Sequence, residues 1–201
     1  MTLVAVTKTY PASDVVLLAD LGVTDIGENK DQEASSKAAS VREAGASVRW
    51  HFVGQLQRNK AKSVVSYADV VESVDSLRLV SALSRAASRR SSPLDVLAQV
   101  SLDGDPSRGG AVESDIPRLA EAIASSPHLR LRGLMAVAPM DWPPERAFSN
   151  LAEVSNRLVA SYPEATVISA GMSGDLEEAI KHGATHVRIG TSLLGMRNPL
   201  R

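Results

Sequence analysis

The stretch LVAVTKTY at Leu3–Tyr10 ends an aliphatic run on a lysine. A primary amine in that position is a candidate carbonyl nucleophile, because an apolar pocket disfavours the ammonium form and lowers the lysine pKa. Such an amine needs a site opposite it to hold a reactant. Two later stretches could supply one, SAGMSGD at 169–175 and VRIGTSLLG at 187–195. Each places glycine and hydroxyl residues between an apolar run and a helical pattern. Small residues let backbone N–H groups approach an oxyanion closely, and a following helix N-terminus adds its dipole and free donors. Lys8 would then face a phosphate cup, with Arg188 pointing in from the last apolar run. Plainer alternatives stand beside these: a surface lysine, ordinary turn glycines, and a rim salt bridge for Arg188.

The elements that would position these groups can be read from the pattern. Aliphatic runs recur as LVAVT (3–7), VTDIG (23–27), WHFVG (50–54), DVVES (69–73), LDVLAQVSL (94–102), LRLRGLM (129–135), ATVIS (165–169) and THVRIG (185–190). Amphipathic segments separate them, and strict alternation points to parallel βαβ units. Consecutive apolar positions fit strands covered on both faces. Eight units predict an α/β fold, a (β/α)8 TIM barrel, with a doubly wound open sheet as the alternative. Gly22, Gly45 and Gly183 fall where a helix-ending glycine belongs, and Asp75, Ser114 and Ser173 read as N-caps. The loops expected to be most flexible are 101–110 and 138–145. In a barrel of this kind the chemistry sits at the C-terminal ends of the strands, with phosphate at loops seven and eight. That places Lys8, both glycine loops and Arg188 on one rim. A lysine amine opposite a phosphate cup is what a pyridoxal 5′-phosphate (PLP) site needs.

Composition narrows the classes. The chain has 201 residues, enough for one domain, read as spanning 1–201. Its 22 Lys and Arg nearly balance 23 Asp and Glu, so no global field favours nucleic acid or an anionic membrane. There is no cysteine, which removes disulfides, thiolate metal sites and a cysteine nucleophile. Without an apolar run of spanning length or a signal peptide, a cytoplasmic protein is expected. His51 reads as a packed, hydrogen-bonded core histidine. His128, His182 and His186 lack metal-ligand spacing, and RAASRR (85–90) reads as a solvated basic face.

Taken together, LVAVTKTYP, IGENKDQE, WHFVGQLQRNKAK, LRGLMAV, SAGMSGDLEEAIKHGATHVRIGTSLLG and the final MR resemble the pyridoxal phosphate homeostasis protein family, related to the N-terminal barrel of alanine racemase. They run in the family's order over nearly the whole chain. The resemblance implies a PLP-binding barrel of fold type III. Lys8 matches the lysine that forms the Schiff base, and Ser173 the phosphate-binding serine. Gly190 and Thr191 match the phosphate-binding backbone and hydroxyl after the eighth strand, and Arg188 the arginine near the pyridine nitrogen. Asn29 and Met135 match residues lining the cofactor, and Val53 an aliphatic position under the ring.

Some positions depart from that pattern. Family members usually carry a helix before the first strand, whereas here Met1 sits almost against that strand: either the helix is absent or the chain start is truncated, and its loss should expose apolar surface. Lys30 and Asp31 stand where a Tyr-Val pair is common, and Ser101 where an Asn often follows strand five. The expected role is a PLP carrier in cofactor homeostasis, with PLP-dependent apo-enzymes as acceptors and no catalytic residues of its own; a single domain leads to the expectation of a monomer. A low-activity amino-acid racemase is the main rival. Two-base racemisation needs an acid/base opposite the lysine, which alanine racemase takes from a further domain. Tyr10, Tyr67 and Tyr162 offer no obvious substitute. A third reading is a PLP-free barrel enzyme acting on a sugar phosphate.

Overall fold

A computed structural model describes residues 1–105 and 108–195. The apolar runs become strands β1 (Thr2–Val6), β2 (Asp25–Glu28), β3 (Arg49–Phe52), β4 (Val70–Val74), β5 (Leu94–Ser101), β7 (Leu129–Ala136), β8 (Val167–Ser169) and β9 (His186–Ile189). A further two-residue strand, β6 (Ala111–Val112), pairs with the end of β5 and has no counterpart in the sequence pattern. All pairings are parallel, in the order β4-β3-β2-β1-β9-β8-β7-β5, and β4 also pairs with β5. That last pairing closes eight strands into a barrel and rules out the open sheet.

Helices α1 (Ala12–Asp20), α2 (Asp31–Glu43), α3 (Ala61–Tyr67), α4 (Leu77–Ala87), α5 (Ile116–Ala124), α6 (Pro144–Ser161), α7 (Leu176–Lys181) and the short α8 (Thr191–Leu194) follow the barrel strands in turn. Between the strands and α3 to α7 runs a large apolar cluster that includes Phe52, Leu83, Leu97's neighbours Val96 and Ala98, Ile123 and Phe148. A smaller cluster of Ala5, Val15, Leu18, Ile26, Val41 and Trp50 seals α1 and α2 to β1–β3. The helix ends at Gly22, Gly45 and Gly183 adopt φ of 87°, 78° and 90°, as read from the sequence. The N-caps shift by one or two residues, to Ser76, Asp115 and Asp175 in place of Asp75, Ser114 and Ser173. At α5 a 3-10 turn (Glu113–Asp115) precedes the helix and takes up Ser114. Leu3, Leu17 and Leu21 are exposed. The loop 101–110 lies partly outside the described residues.

Side chains alternate across each strand. In β2, Asp25 reaches His51, whereas Ile26 packs in the α1–α2 cluster and Glu28 bonds Lys37 of α2. Inside and outside the wall therefore receive different residues from one strand, and both sets include charges.

Candidate functional site

The eight predicted site residues come from six strands that are consecutive around the barrel. Val53 follows β3, Asn29 follows β2 and Lys8 follows β1; Arg188 lies in β9, and Gly190 and Thr191 follow it. Ser173 follows β8 and Met135 lies near the end of β7. The strands β4 and β5 contribute none. The rim arc is thus continuous, and Lys8 sits on the strand next to the one carrying Arg188 and Gly190.

Local geometry holds the two central loops together. Val4 pairs with Arg188, and a Cβ at Gly190 would come within 3.2 Å of the Val6 carbonyl oxygen. The Tyr10 hydroxyl donates to the Gly195 carbonyl at 2.5 Å, tying the loop after β1 to the segment after β9. Lys8 itself is exposed, not enclosed in the apolar pocket the sequence led us to expect. Thr9 beside it has φ of 71°, an uncommon conformation for a β-branched residue.

Beneath Lys8 lies a charged cluster with no obvious sequence signal. Lys37 of α2 is 5% exposed and donates to the Thr7 carbonyl at 2.7 Å, to Glu28 and to Glu33 at 3.0 Å. The Thr7 hydroxyl bonds Glu28 at 2.6 Å, and the Thr9 N–H donates to Glu33. These bonds brace the residues on either side of Lys8. Burial pushes Glu28 upward in pKa, and its bonds to Lys37 and Thr7 do not fully offset this. Its second oxygen is buried without a partner among the described residues.

Inside the barrel a second charged chain runs toward the mouth. Arg188, 5% exposed, donates from Nη1 to the Ser169 hydroxyl and from Nη2 to the Ala136 carbonyl, both at 2.8 Å. Ser169 donates to Glu72 at 2.6 Å, Glu72 meets His51 Nδ1 at 2.6 Å, and His51 Nε2 meets Asp25 at 2.9 Å. Burial alone would lower the His51 pKa, but the bonds to Asp25 and Glu72, with their charges, raise it to about 9. Burial likewise pushes Glu72 up, and His51 with the charge of Arg188 brings it below the usual carboxylate value. His51 is the hydrogen-bonded core histidine expected from the sequence.

The other site residues are placed less uniformly. Met135 is buried and registers with Ser169. Val53 is half-buried and its N–H donates to the Glu28 carbonyl at 2.8 Å. The Asn29 side-chain oxygen is buried with no hydrogen-bond partner among the described residues, leaving an acceptor at the rim. Ser173 and Thr191 are exposed. One amide of the glycine loop, that of Met172, already donates to Asp175 at 2.6 Å. Ser173 lines an outer cleft of about 570 Å³ with Glu145, Asp175 and Glu177, whose carboxylates do not favour an anion. A groove of about 720 Å³ between α5 and α6, lined by Tyr162, lies on the barrel's outer side.

Sequence reasoning did not single out Glu72 or Lys37. An acidic residue following two valines inside the run DVVES was the available signal for Glu72; Lys37 gave none, since a lysine in a helix reads as solvated.

Comparison with known proteins identifies the barrel. A family model described as the alanine racemase N-terminal domain matches residues 1–198. A pyridoxal phosphate homeostasis protein of Mycobacterium tuberculosis is 48% identical, over 97% of this chain and 82% of that protein. The chain belongs to the pyridoxal phosphate homeostasis family. A member from Escherichia coli K12 is 37% identical over 98% of this chain and 86% of its own length. The solved structure of PipY from Synechococcus elongatus, with PLP bound, superposes with a TM-score of 0.86 at 31% identity, covering 97% of this chain and 92% of that one. For this homeostasis-family member the site residues fit the cofactor: an amine, a buried guanidinium and an unpartnered amide oxygen share one arc of the rim. No helix among the described residues is long and apolar enough to cross a membrane.

Proposed function

We propose that this protein binds PLP as a Schiff base on Lys8 and holds or delivers it in the cytoplasm, without efficient turnover of its own. The observation that carries this reading is the rim arc, in which Lys8 adjoins the strand of Arg188 and Gly190, in a chain similar to a relative solved with PLP. When bound, PLP supplies an electrophilic aldehyde and an electron-accepting ring. Lys8 would hold the cofactor through its amine, which would replace the aldehyde oxygen with loss of water. The Gly190–Thr191 segment would receive the phosphate, with the Ser173 hydroxyl donating to it despite the carboxylates of its outer cleft; Val53 and Met135 would pack against the ring, and Asn29 would present its free acceptor. Arg188 would face the ring nitrogen. An arginine gives up no proton at working pH, so that nitrogen would stay unprotonated and the ring would be a weaker electron sink.

The chain acts as one PLP-binding domain across 1–201, as a monomer. The open rim suits exchange with solvent or with PLP-dependent apo-enzymes.

Racemisation is the second reading, favoured by the likeness to the alanine racemase barrel. The tyrosines speak against it. Tyr10 is bonded to Gly195, the Tyr67 hydroxyl is buried, and Tyr162 lies on the outer side beside Glu121. The test is the visible spectrum of PLP-loaded protein before and after adding alanine or serine, with product chirality measured. The carrier reading expects imine absorbance, lost in Lys8→Ala, and negligible racemisation. Rapid racemisation that depends on Lys8 would overturn it.

A further inference from the structure

We infer that Ser169 and Glu72 are positioning residues for Arg188, and that they fix the direction in which its guanidinium meets a ligand at the barrel mouth. This rests on the reading that Arg188 faces the ring nitrogen of PLP. Ser169 has one proton to give, and it goes to Glu72 Oε2 at 2.6 Å. Its lone pairs are therefore left to accept, and Arg188 Nη1 is the donor, at 2.8 Å. Glu72 Oε2 is 4.0 Å from Arg188 Nη1, too far for a hydrogen bond, so the carboxylate acts on the arginine through the serine.

Glu72 is held in turn. Its other oxygen meets His51 Nδ1 at 2.6 Å, and Asp25 holds the opposite ring nitrogen. Every link has one direction available to it. Two carboxylates stand against an imidazolium and a guanidinium, so the buried chain is electrically balanced. Other charged or titratable neighbours include His186, whose ring centroid is 6.2 Å from that of His51, Asp175, whose charge reaches Arg188, and Arg49, whose charge reaches Asp25. The Ala136 carbonyl takes Nη2. With Nη1 and Nη2 anchored on β8 and β7, the guanidinium plane is fixed, and its other N–H groups have no acceptor among the described residues. A flexible lysine at this position could not be set in this way.

The test uses the full-length chain with Ser169→Ala, Glu72→Gln and the conservative Ser169→Thr. Three readouts are PLP affinity, the absorbance maximum of bound PLP, and the ¹⁵N resonances of the Arg188 guanidinium in PLP-free protein. Ser169→Ala should raise the Kd about tenfold, the scale of one charge-assisted hydrogen bond. Its bound absorbance should shift and the Arg188 Nη signals should average by rotation. Glu72→Gln should move the same readouts less, and Ser169→Thr should restore them. A role confined to packing would lower thermal stability while leaving absorbance and guanidinium signals unchanged, and that result overturns the inference. Should the wild type take up no PLP, the carrier reading fails while the guanidinium signals still decide this one. Slow rotation in wild type, lost in Ser169→Ala or in Glu72→Gln, supports it; equal rotation in all three overturns it.

Discussion

Two buried ionic clusters lie on opposite sides of the same barrel wall, and β2 contributes a carboxylate to each. Asp25 points inward to His51, and Glu28 points outward to Lys37. The inner chain matches each negative group with a positive one, and both Asp25 and Glu72 stay below the usual carboxylate range despite burial, through their bonds to His51. In the outer cluster one lysine serves two carboxylates, and burial leaves Glu28 raised with an unpartnered oxygen. The inner cluster is built to stay ionised. The outer one can relieve the loss of its cation by taking up a proton.

That difference predicts unequal costs. Replacing His51 by Leu strands two buried carboxylates at once and should destabilise the protein by about 4 kcal/mol, measured by urea unfolding. Lys37→Met should cost less, about 2 kcal/mol, because Glu28 can become neutral. Equal costs would remove the distinction between the clusters.

The pH dependence sharpens it. The folded His51 pKa, at about 9, lies above the ordinary histidine value of 6.5. Its stabilisation is therefore complete below about 6.5, the unfolded value, and is lost as pH rises through about 9. The thermal midpoint of wild type should fall over that window relative to His51→Gln. Carboxylates of depressed pKa behave oppositely: Asp25 and Glu72 contribute above their unfolded values, and that contribution is lost as pH falls through their folded ones. A flat difference between wild type and His51→Gln from pH 6 to 10 would contradict the assigned charge state.

The smallest effect serves as a control. Arg157 and Glu113 form an ion pair on the outer surface, and both side chains are more than half exposed, at 57% and 51%. Arg157→Ala should change stability by no more than about 0.5 kcal/mol. A larger loss would mean that surface pairs here matter as much as buried ones.

The same contrast explains what the sequence could show. The eight barrel strands were legible because parallel strands buried on both faces read as uninterrupted apolar runs. The rim residues followed, since each sits in the later half of such a run or a few residues past it. Strand β6 was not legible, because two residues carry no periodicity. Nor were the partners of Arg188. Ser169, Glu72, His51 and Asp25 come from four different strands, and their meeting depends on the stagger between strands, which no local pattern encodes. Lys37 shows the same limit from the helix side. Its burial depends on which face of α2 meets Glu28, and SSKAAS gives little apolar contrast from which to read that face. The cap residues at α4, α5 and α7 were displaced by one or two positions, since neighbouring Ser and Asp residues compete for the same role.

The central claim is that Lys8, and no other lysine, carries the cofactor. Lys37 is the nearby competitor, and its ammonium is committed to Thr7, Glu28 and Glu33. Borohydride reduction of PLP-loaded protein, followed by peptide mapping in the mass spectrometer, decides between them. A pyridoxyl group is expected on the peptide containing Lys8, and none in Lys8→Ala. Labelling of Lys37, or no label in the wild type, would contradict it.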